Sequence, residues 1–250
     1  MTNSNNYIIA NWKMYGSIND LKSIKKVIKI SKKPNFRKTK IIYCPPFTLL
    51  NSFHKLTNKT PLNIGAQNCH HNEFFGSYTG SISSNMIKSV GAKYVIIGHS
   101  ENRKEGESNL IINKKIYSAL NQKLKVIFCI GETLNEKKKK KTNIVLKKQI
   151  NEGLKNIKNL NNIIFAYEPV WCIGTGIIPK TNDLINNLIK IKKLIKKKFR
   201  SKNPIILYGG SVNSKNIDKL NKIYEIKGFL IGSASQNTNK FIDIIKKSII

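Results

Sequence analysis

The sequence IIFAYEPVWCIGTGIIP, residues 163–179, combines an apolar run, a carboxylate and a glycine-rich segment. The run Ile163–Tyr167 is short, rich in β-formers and almost wholly apolar, which predicts a strand buried on both faces. Pro169 lacks a backbone donor and disfavours helical backbone at the residue before it, so the strand must end at Glu168. A carboxylate that only caps a strand is the competing interpretation of an isolated Glu-Pro pair.

The segment after Glu168 has the composition of a mobile lid. Its glycines give backbone freedom and exposed N–H groups, while Trp171 and Ile173 are unusually apolar for a solvated turn. We therefore predict a lid formed by Pro169, Val170, Trp171, Cys172, Ile173, Gly174, Thr175 and Gly176.

Seven further apolar runs resemble Ile163–Tyr167 and recur at intervals of roughly 25 to 40 residues. Amphipathic stretches with helical spacing lie between them, such as Leu184, Leu188, Ile191 and Ile195. Eight alternating strands and helices in 250 residues predict an α/β fold, a single-domain (β/α)₈ TIM barrel over residues 1–250. A doubly wound open sheet is the competitor, but the first strand is not followed by GxGxxG. The predicted strands cover residues 7–10, 41–44, 62–66, 94–97, 126–130, 163–167, 205–208 and 228–231.

The formal net charge of +32 alone would suggest a nucleic-acid or anionic-membrane partner. Arginine, which recognises phosphate and guanine bidentately, occurs only at Arg37, Arg103 and Arg200. Lysine, asparagine and isoleucine are over-used together, as expected of an A/T-rich genome. We therefore interpret the lysines, including the run 137–141, as solvated surface, and expect no specific nucleic-acid partner. A lysine-rich nucleic-acid-binding protein remains the alternative of a different class.

The sequence contains no run of 18 apolar residues and no signal-peptide pattern at its start, so we expect no membrane partner. Its four cysteines contain no CxxC pair and are too sparse for a disulfide framework. These features predict a cytoplasmic location.

In a barrel of this kind the chemistry belongs at the carboxyl ends of the strands. The residues there supply a cation, an imidazole, two carboxylates and three glycine-bearing loops, two of them where barrels commonly bind phosphate. They predict a small phosphate ester as the ligand, although each residue alone has a structural interpretation. The residues are Asn11, Lys13, Gly98, His99, Ser100, Glu101, Glu168, Gly209, Gly210, Ser211, Gly232 and Ser233.

A metal site can be considered at His70 and His71, which lie near Cys69 and Glu73. Adjacent side chains in a loop generally point apart, and no second ligand pair has zinc-like spacing. We therefore predict no metal site.

Eight motifs, in order and spacing, make the chain resemble the triosephosphate isomerase family along its whole length. That resemblance implies interconversion of glyceraldehyde 3-phosphate and dihydroxyacetone phosphate by a homodimer, without metal or organic cofactor. Another sugar-phosphate barrel enzyme is the closest alternative. The motifs are NWKM at 11–14, GAQN at 65–68, YTG at 78–80, IIGHSENR at 96–103, CIGE at 129–132, AYEPVWCIGTG at 166–176, YGGSV at 208–212 and IGSAS at 231–235.

This reaction moves a proton between adjacent carbons, which requires a base, an electrophile at oxygen and stabilisation of an enediolate. The resemblance implies a glutamate base beside a neutral histidine, here Glu168 and His99. It also implies that Lys13 neutralises charge, that Asn11 helps to hold the ligand, and that Glu101 orients or relays. The expected phosphate ligands are Asn11, Lys13, Gly174, Ser211, Gly232 and Ser233.

The sequence departs from the family pattern at the expected dimer interface. SENR and TGS replace the common SERR and TGE, so Asn102 and Ser81 remove both partners of an inter-subunit ion pair. We expect a weaker dimer that persists through the 67–81 loop, with Thr79 approaching the partner's active site. The predicted interface residues are Gln67, Asn68, Tyr78, Thr79 and Gly80.

Two further departures concern the active site. Ser233 replaces a glycine of the phosphate loop, which keeps the N–H group but restricts φ. Ile177-Ile178-Pro179 forms the second hinge of the lid, where many relatives have a longer segment that begins with lysine. We expect the hinge change to affect the rate of lid closure.

Overall fold

In the computed structural model, eight parallel strands form a closed barrel in sequence order. The structure describes residues 6–199 and 203–248. All eight predicted strands are confirmed, with bounds that differ by at most two residues at either end. The strands are β1 Asn6–Asn11, β2 Thr39–Cys44, β3 Asn63–Ala66, β4 Tyr94–Ile97, β5 Lys125–Ile130, β6 Ile163–Tyr167, β7 Ile206–Tyr208 and β8 Gly228–Ile231.

Helices connect consecutive strands and surround the barrel, as parallel strands require. Short 3₁₀ turns lie at Ile18–Asp20, Pro34–Phe36, Val170–Cys172 and Ser233–Ser235. In the described part of the chain no helix is long and apolar enough to cross a membrane. The helices are α1 Leu21–Ser31, α2 Phe47–Thr57, α3 Ser84–Ser89, α4 Ser100–Lys104, α5 Asn109–Asn121, α6 Leu134–Lys138, α7 Thr142–Gly153, α8 Thr181–Phe199, α9 Ile217–Asn221 and α10 Thr238–Lys247.

The core has two layers because successive strand residues point to opposite faces. One set of side chains fills the barrel interior, including Ile9, Ile42 and Ile127. The alternate set packs between the barrel and the helices, including Ile8 and Val126. The near-continuous apolar runs of the sequence are the consequence of this burial on both faces.

One apolar run with helical spacing continues beyond the helix in which it starts. Spacing predicts that the helix containing Leu146 and Ile150 extends through Leu154 and Ile157, but α7 ends at Gly153. Asn156 has a φ of 61°, a left-handed conformation that a continuing helix cannot contain. Leu154 is nevertheless fully buried, so the apolar spacing reports packing beyond the helix.

Helix α8 provides a test of the packing between helices and barrel. Leu188 lies on its buried face and is fully enclosed, whereas Lys193 is exposed. We expect Leu188→Ala to lower the free energy of unfolding by about 2–5 kcal/mol, because it removes buried contacts and leaves a cavity. Chemical denaturation measures the change, with Lys193→Ala as the control. Equal stability of the two variants would contradict this packing.

Candidate active site

The carboxyl ends of the strands surround a cleft of about 230 Å³. Every residue predicted for catalysis or phosphate binding lines this cleft, although the residues come from five different strand ends and the lid. The structure therefore brings the whole predicted set together. The set comprises Asn11, Lys13, His99, Glu101, Glu168, Gly174, Ser211, Gly232 and Ser233.

Glu168 lies directly after β6 and is only 2% exposed. Its N–H group donates to the carbonyl oxygen of Ile130 at 2.8 Å, so the chain stays paired with β5 up to this residue. Burial raises the pKa of the Glu168 carboxyl, and His99 is the largest of several groups that oppose this effect. A desolvated carboxylate of this kind is a stronger base than one in water.

Two glycines make room for Glu168. A Cβ atom at Gly131 would overlap the carbonyl oxygen of Glu168. A Cβ atom at Gly209 would lie 2.7 Å from the Glu168 Cγ atom. The glycine of CIGE therefore makes room for the Glu168 backbone, and the first glycine of YGGSV makes room for its side chain.

His99 follows β4 and is 5% exposed. Its Nδ1 atom accepts a hydrogen bond of 3.2 Å from the N–H group of Glu101. An imidazolium has no lone pair, so this bond requires a neutral ring with its proton on Nε2. That nitrogen lies 3.4 Å from Oε1 of Glu168. The site thus pairs a carboxylate with a neutral N–H donor.

Lys13 has a φ of 57°, a left-handed conformation that is unusual for a residue with a side chain. Asn11 Oδ1 accepts from the Lys13 N–H group at 3.0 Å, and Gln67 Nε2 donates to the Lys13 carbonyl oxygen at 2.8 Å. The ammonium group binds Oε1 of Glu101 at 2.6 Å. These contacts hold the cation at the cleft, beside the carboxylate and the imidazole.

Comparisons with known proteins show the family of this chain. The family model described as triosephosphate isomerase matches residues 6–248. The chain belongs to the triosephosphate isomerase family.

The relatives are similar over nearly their full length. A triosephosphate isomerase from Dictyoglomus thermophilum is 44% identical over 246 residues, which cover 96% of this chain and 98% of that protein. One from Wolbachia pipientis is 40% identical over 240 residues, covering 96% and 93%. The crystal structure of the Bartonella henselae triosephosphate isomerase has a TM-score of 0.89 and 34% identity, covering 97% of this chain and 98% of that one. The protein is therefore an isomerase, as the motifs predict.

The segment predicted as the family's lid leaves β6 through the 3₁₀ turn Val170–Cys172. Its last three residues, Gly174 to Gly176, are exposed, and Gly174 and Gly176 have φ values of 73° and 76°. Trp171 Nε1 donates to Oε1 of Glu132 at 3.0 Å. Because Glu132 is almost fully buried, this bond fixes the first part of the segment to the barrel.

The Glu132 carboxyl is also the acceptor for the hydroxyl group of Tyr167 at 3.1 Å, and Asn187 donates to that hydroxyl at 2.9 Å. Burial raises the pKa of Glu132, and the Trp171 hydrogen bond opposes it most. The sequence-based prediction assigned no role to Glu132, although the CIGE motif contains it.

Two further residues support the site without having been assigned that role. Arg103 donates to the carbonyl oxygens of Gly98 and Cys129 at 2.7 and 3.1 Å, which joins the ends of β4 and β5. Gln67 was predicted only as an interface residue, but it also holds Lys13 and donates to the Cys44 carbonyl oxygen at 2.9 Å. In the sequence, the only signal for these supporting roles is that Arg103 belongs to the motif IIGHSENR and Gln67 to the motif GAQN.

Two expectations about surface side chains need correction. The rings of His70 and His71 do not point apart, because their centroids lie 4.2 Å from each other. No three potential metal ligands cluster in residues 6–199 and 203–248. Within the lysine run, Lys137 is not simply solvated, since its Nζ atom lies 3.3 Å from the ring centroid of Trp171.

The raised pKa of Glu168 has a consequence for stability. The stabilisation due to its neutral form is complete below the unfolded pKa, about 4.5, and is lost as pH rises through the folded pKa. The ionised carboxylate therefore destabilises the fold at pH 7. We expect Glu168→Gln to raise Tm at pH 7, with a gain that shrinks towards pH 4. Calorimetry across this range measures it.

The matched control is Glu105→Gln, at an exposed position. Its Tm should follow that of the unsubstituted protein at both pH values. A Glu168→Gln variant that is less stable than the unsubstituted protein at pH 7 would show that burial of the ionised carboxylate does not destabilise the fold.

Proposed function

We propose that this protein interconverts D-glyceraldehyde 3-phosphate and dihydroxyacetone phosphate through an enediolate, with Glu168 as the base at carbon. The observation that carries the proposal is the 3.4 Å approach of His99 Nε2 to Glu168 Oε1 in the cleft. An acceptor for a carbon-bound proton and a donor for a carbonyl oxygen thus face the same small volume. A hydroxy-carbonyl substrate needs both groups at adjacent carbons.

In the forward direction, Glu168 removes the proton from the carbon next to the carbonyl group. The Nε2–H group of His99 donates to the carbonyl oxygen and stabilises the negative charge that develops there. The same carboxyl then returns the proton to the neighbouring carbon, while oxygen protons move through His99. No electrons leave the substrate, so the sum of the two transfers is an isomerisation.

Lys13 supplies a positive charge for the substrate phosphate and the enediolate. Its ammonium group is held at the cleft by the Glu101 carboxylate, while the Glu101 N–H group donates to His99 Nδ1 at 3.2 Å. We assign Glu101 to orient these two groups. Asn11 acts on the ligand and on Lys13, whose N–H group it binds.

The phosphate group is assigned to the backbone donors of Gly174, Ser211, Gly232 and Ser233. Ser233 opens the 3₁₀ turn Ser233–Ser235, a conformation that any L-residue adopts. The serine at this position therefore keeps its N–H group without the backbone strain considered from the sequence. A phosphate at the start of this turn also meets unsatisfied N–H groups.

Closure of the segment Pro169–Gly176 over the phosphate would exclude water and strengthen each of these interactions. Ile177, in the second hinge, is 56% exposed, and its N–H group binds Thr175 Oγ1 at 3.2 Å.

Family membership does not favour the alternatives of a nucleic-acid-binding protein or another sugar-phosphate enzyme.

Shortening the base by one methylene tests its role. We expect Glu168→Asp to fold normally and to lose at least ~10-fold in kcat, because the carboxylate retreats from the substrate carbon. Glu105→Asp makes the same chemical change at an exposed position and should retain full turnover. A coupled assay of glyceraldehyde 3-phosphate measures both variants. Unchanged kcat in Glu168→Asp would refute the assignment.

We also propose a single-domain, cytoplasmic homodimer. Large apolar side chains are exposed beside the cleft and on the 67–81 loop, including Met14 at 94% and Phe75 at 79%. A partner would remove this surface from water. Asn68 and Gln67 make contacts within the chain, so Tyr78, Thr79 and Gly80 at the exposed loop tip are the clearest interface candidates.

The cysteines bear on the proposed location. All four are free and buried, which agrees with a reducing compartment.

Restoring the missing ion pair tests the dimer. We expect the double variant Asn102→Arg/Ser81→Glu to bind its partner at least ~3-fold more tightly, because two symmetric ion pairs form per dimer. Asn102→Arg alone supplies a charge without its partner and is the control. Sedimentation velocity over a dilution series measures the affinities. A fully active monomer would contradict the proposed assembly.

A further inference from the structure

Two lysines occupy inward positions at the amino-terminal end of the barrel, opposite the active site. Lys40 precedes the inward residues Ile42 and Cys44 of β2, and Lys125 precedes Ile127 and Cys129 of β5. The two-residue period of a strand therefore directs both lysine side chains towards the barrel axis. Branched apolar residues dominate such interior positions in barrels of this kind.

These lysines form the lowest layer together with inward aromatic residues. Lys40 pairs with Tyr7 across β1 and β2, and Lys125 pairs with Tyr94 across β4 and β5. The ammonium groups lie 5.9 Å from the Tyr7 ring centroid and 5.7 Å from that of Tyr94. Cation–π contacts at these distances compensate for only part of the lost hydration.

A cleft of about 560 Å³ opens onto this layer. Five of its lining residues are cationic, and no aspartate or glutamate lines it among the residues that the structure describes. Lys93 is fixed beside Lys125, whose N–H group donates to the Lys93 carbonyl oxygen at 2.9 Å. The cationic residues are Lys32, Arg37, Lys40, Lys93 and Lys125.

The positive charges in this cleft repel one another. Burial lowers the pKa of the Lys125 ammonium group, and Lys40 and Lys93 lower it further. In contrast, the lysine at the active site has a carboxylate partner at 2.6 Å. An unrelieved repulsion among these three lysines is a cost to the fold that a bound anion would remove.

We propose that this basal cleft, defined by Lys32, Arg37, Lys40, Lys93 and Lys125, binds a small anion with a chain of two or three phosphate groups. Four lysines and one arginine that line one concave volume suit an extended, multiply charged anion better than a single phosphate. Asn63, at the start of β3 between Lys40 and Lys93, supplies a polar side chain in the same cleft. Phe36 and Tyr94 give it an apolar wall.

The phosphate chain could belong to inorganic triphosphate or to a nucleoside triphosphate, and titration calorimetry with each separates the two sources. The active site is first saturated with glycerol 3-phosphate, so that the heat reports the basal cleft. We expect one triphosphate per chain. Equal affinity for the two probes identifies the phosphate chain as the recognised group, whereas tighter binding of the nucleotide identifies an added contact of the base with the apolar wall.

The deciding variant is Lys40→Gln/Lys93→Gln/Lys125→Gln, in which we expect triphosphate affinity to fall at least ~10-fold. The control is Lys147→Gln/Lys148→Gln/Lys193→Gln, which removes the same charge from exposed helix positions and should keep its affinity within about 2-fold. Without ligand, the basal variant should also gain about 2 °C or more in Tm over this control, since the repulsion is removed.

A third variant, Lys40→Arg/Lys93→Arg/Lys125→Arg, keeps the charges and should retain binding. Equal losses in the basal and control Gln variants would show diffuse attraction to a basic surface and overturn the proposal. Absence of triphosphate binding to the unsubstituted protein would overturn it as well. Turnover of glyceraldehyde 3-phosphate should be unchanged in all three variants, so this test is independent of the proposed reaction.

Discussion

The desolvation of one carboxylate is the constraint on which the active site depends. Glu168 sits where β6 ends, and it can be buried there only because Gly131 and Gly209 leave space for it. His99, the Ser100 N–H group and Lys13 limit the cost of its charge. The same burial that weakens the fold at neutral pH makes the carboxylate a better base, so stability and activity oppose each other at this residue.

The lysines at the two ends of the barrel have different partners. At the carboxyl end, Lys13 is held in a left-handed conformation by Asn11 and Gln67 and is neutralised by Glu101. At the amino end, Lys40 and Lys125 point inward, and no carboxylate of residues 6–199 and 203–248 lines their cleft. The first arrangement is a positioned charge for chemistry. The second is an excess of charge that a ligand can satisfy.

The fold was predictable because parallel strands buried on both faces appear in the sequence as apolar runs. The residues of the cleft were predictable because they directly follow those runs. The supporting contacts were not predictable. Glu132 meets Trp171 across 39 positions, and Gln67 meets Lys13 across 54, distances that local patterns do not encode. Similarly, the sequence does not distinguish Lys137 from the other surface lysines, although in the fold it lies over the Trp171 ring.

The central claim is that an ionised Glu168 works beside a neutral His99. Nitrogen-15 NMR of labelled histidine tests it most directly, with the His99 signals assigned by their loss in His99→Gln among four histidines. At pH 7 the account predicts a protonated Nε2 and an unprotonated Nδ1, as the hydrogen bond from Glu101 requires. Protonation of both ring nitrogens at that pH would contradict it.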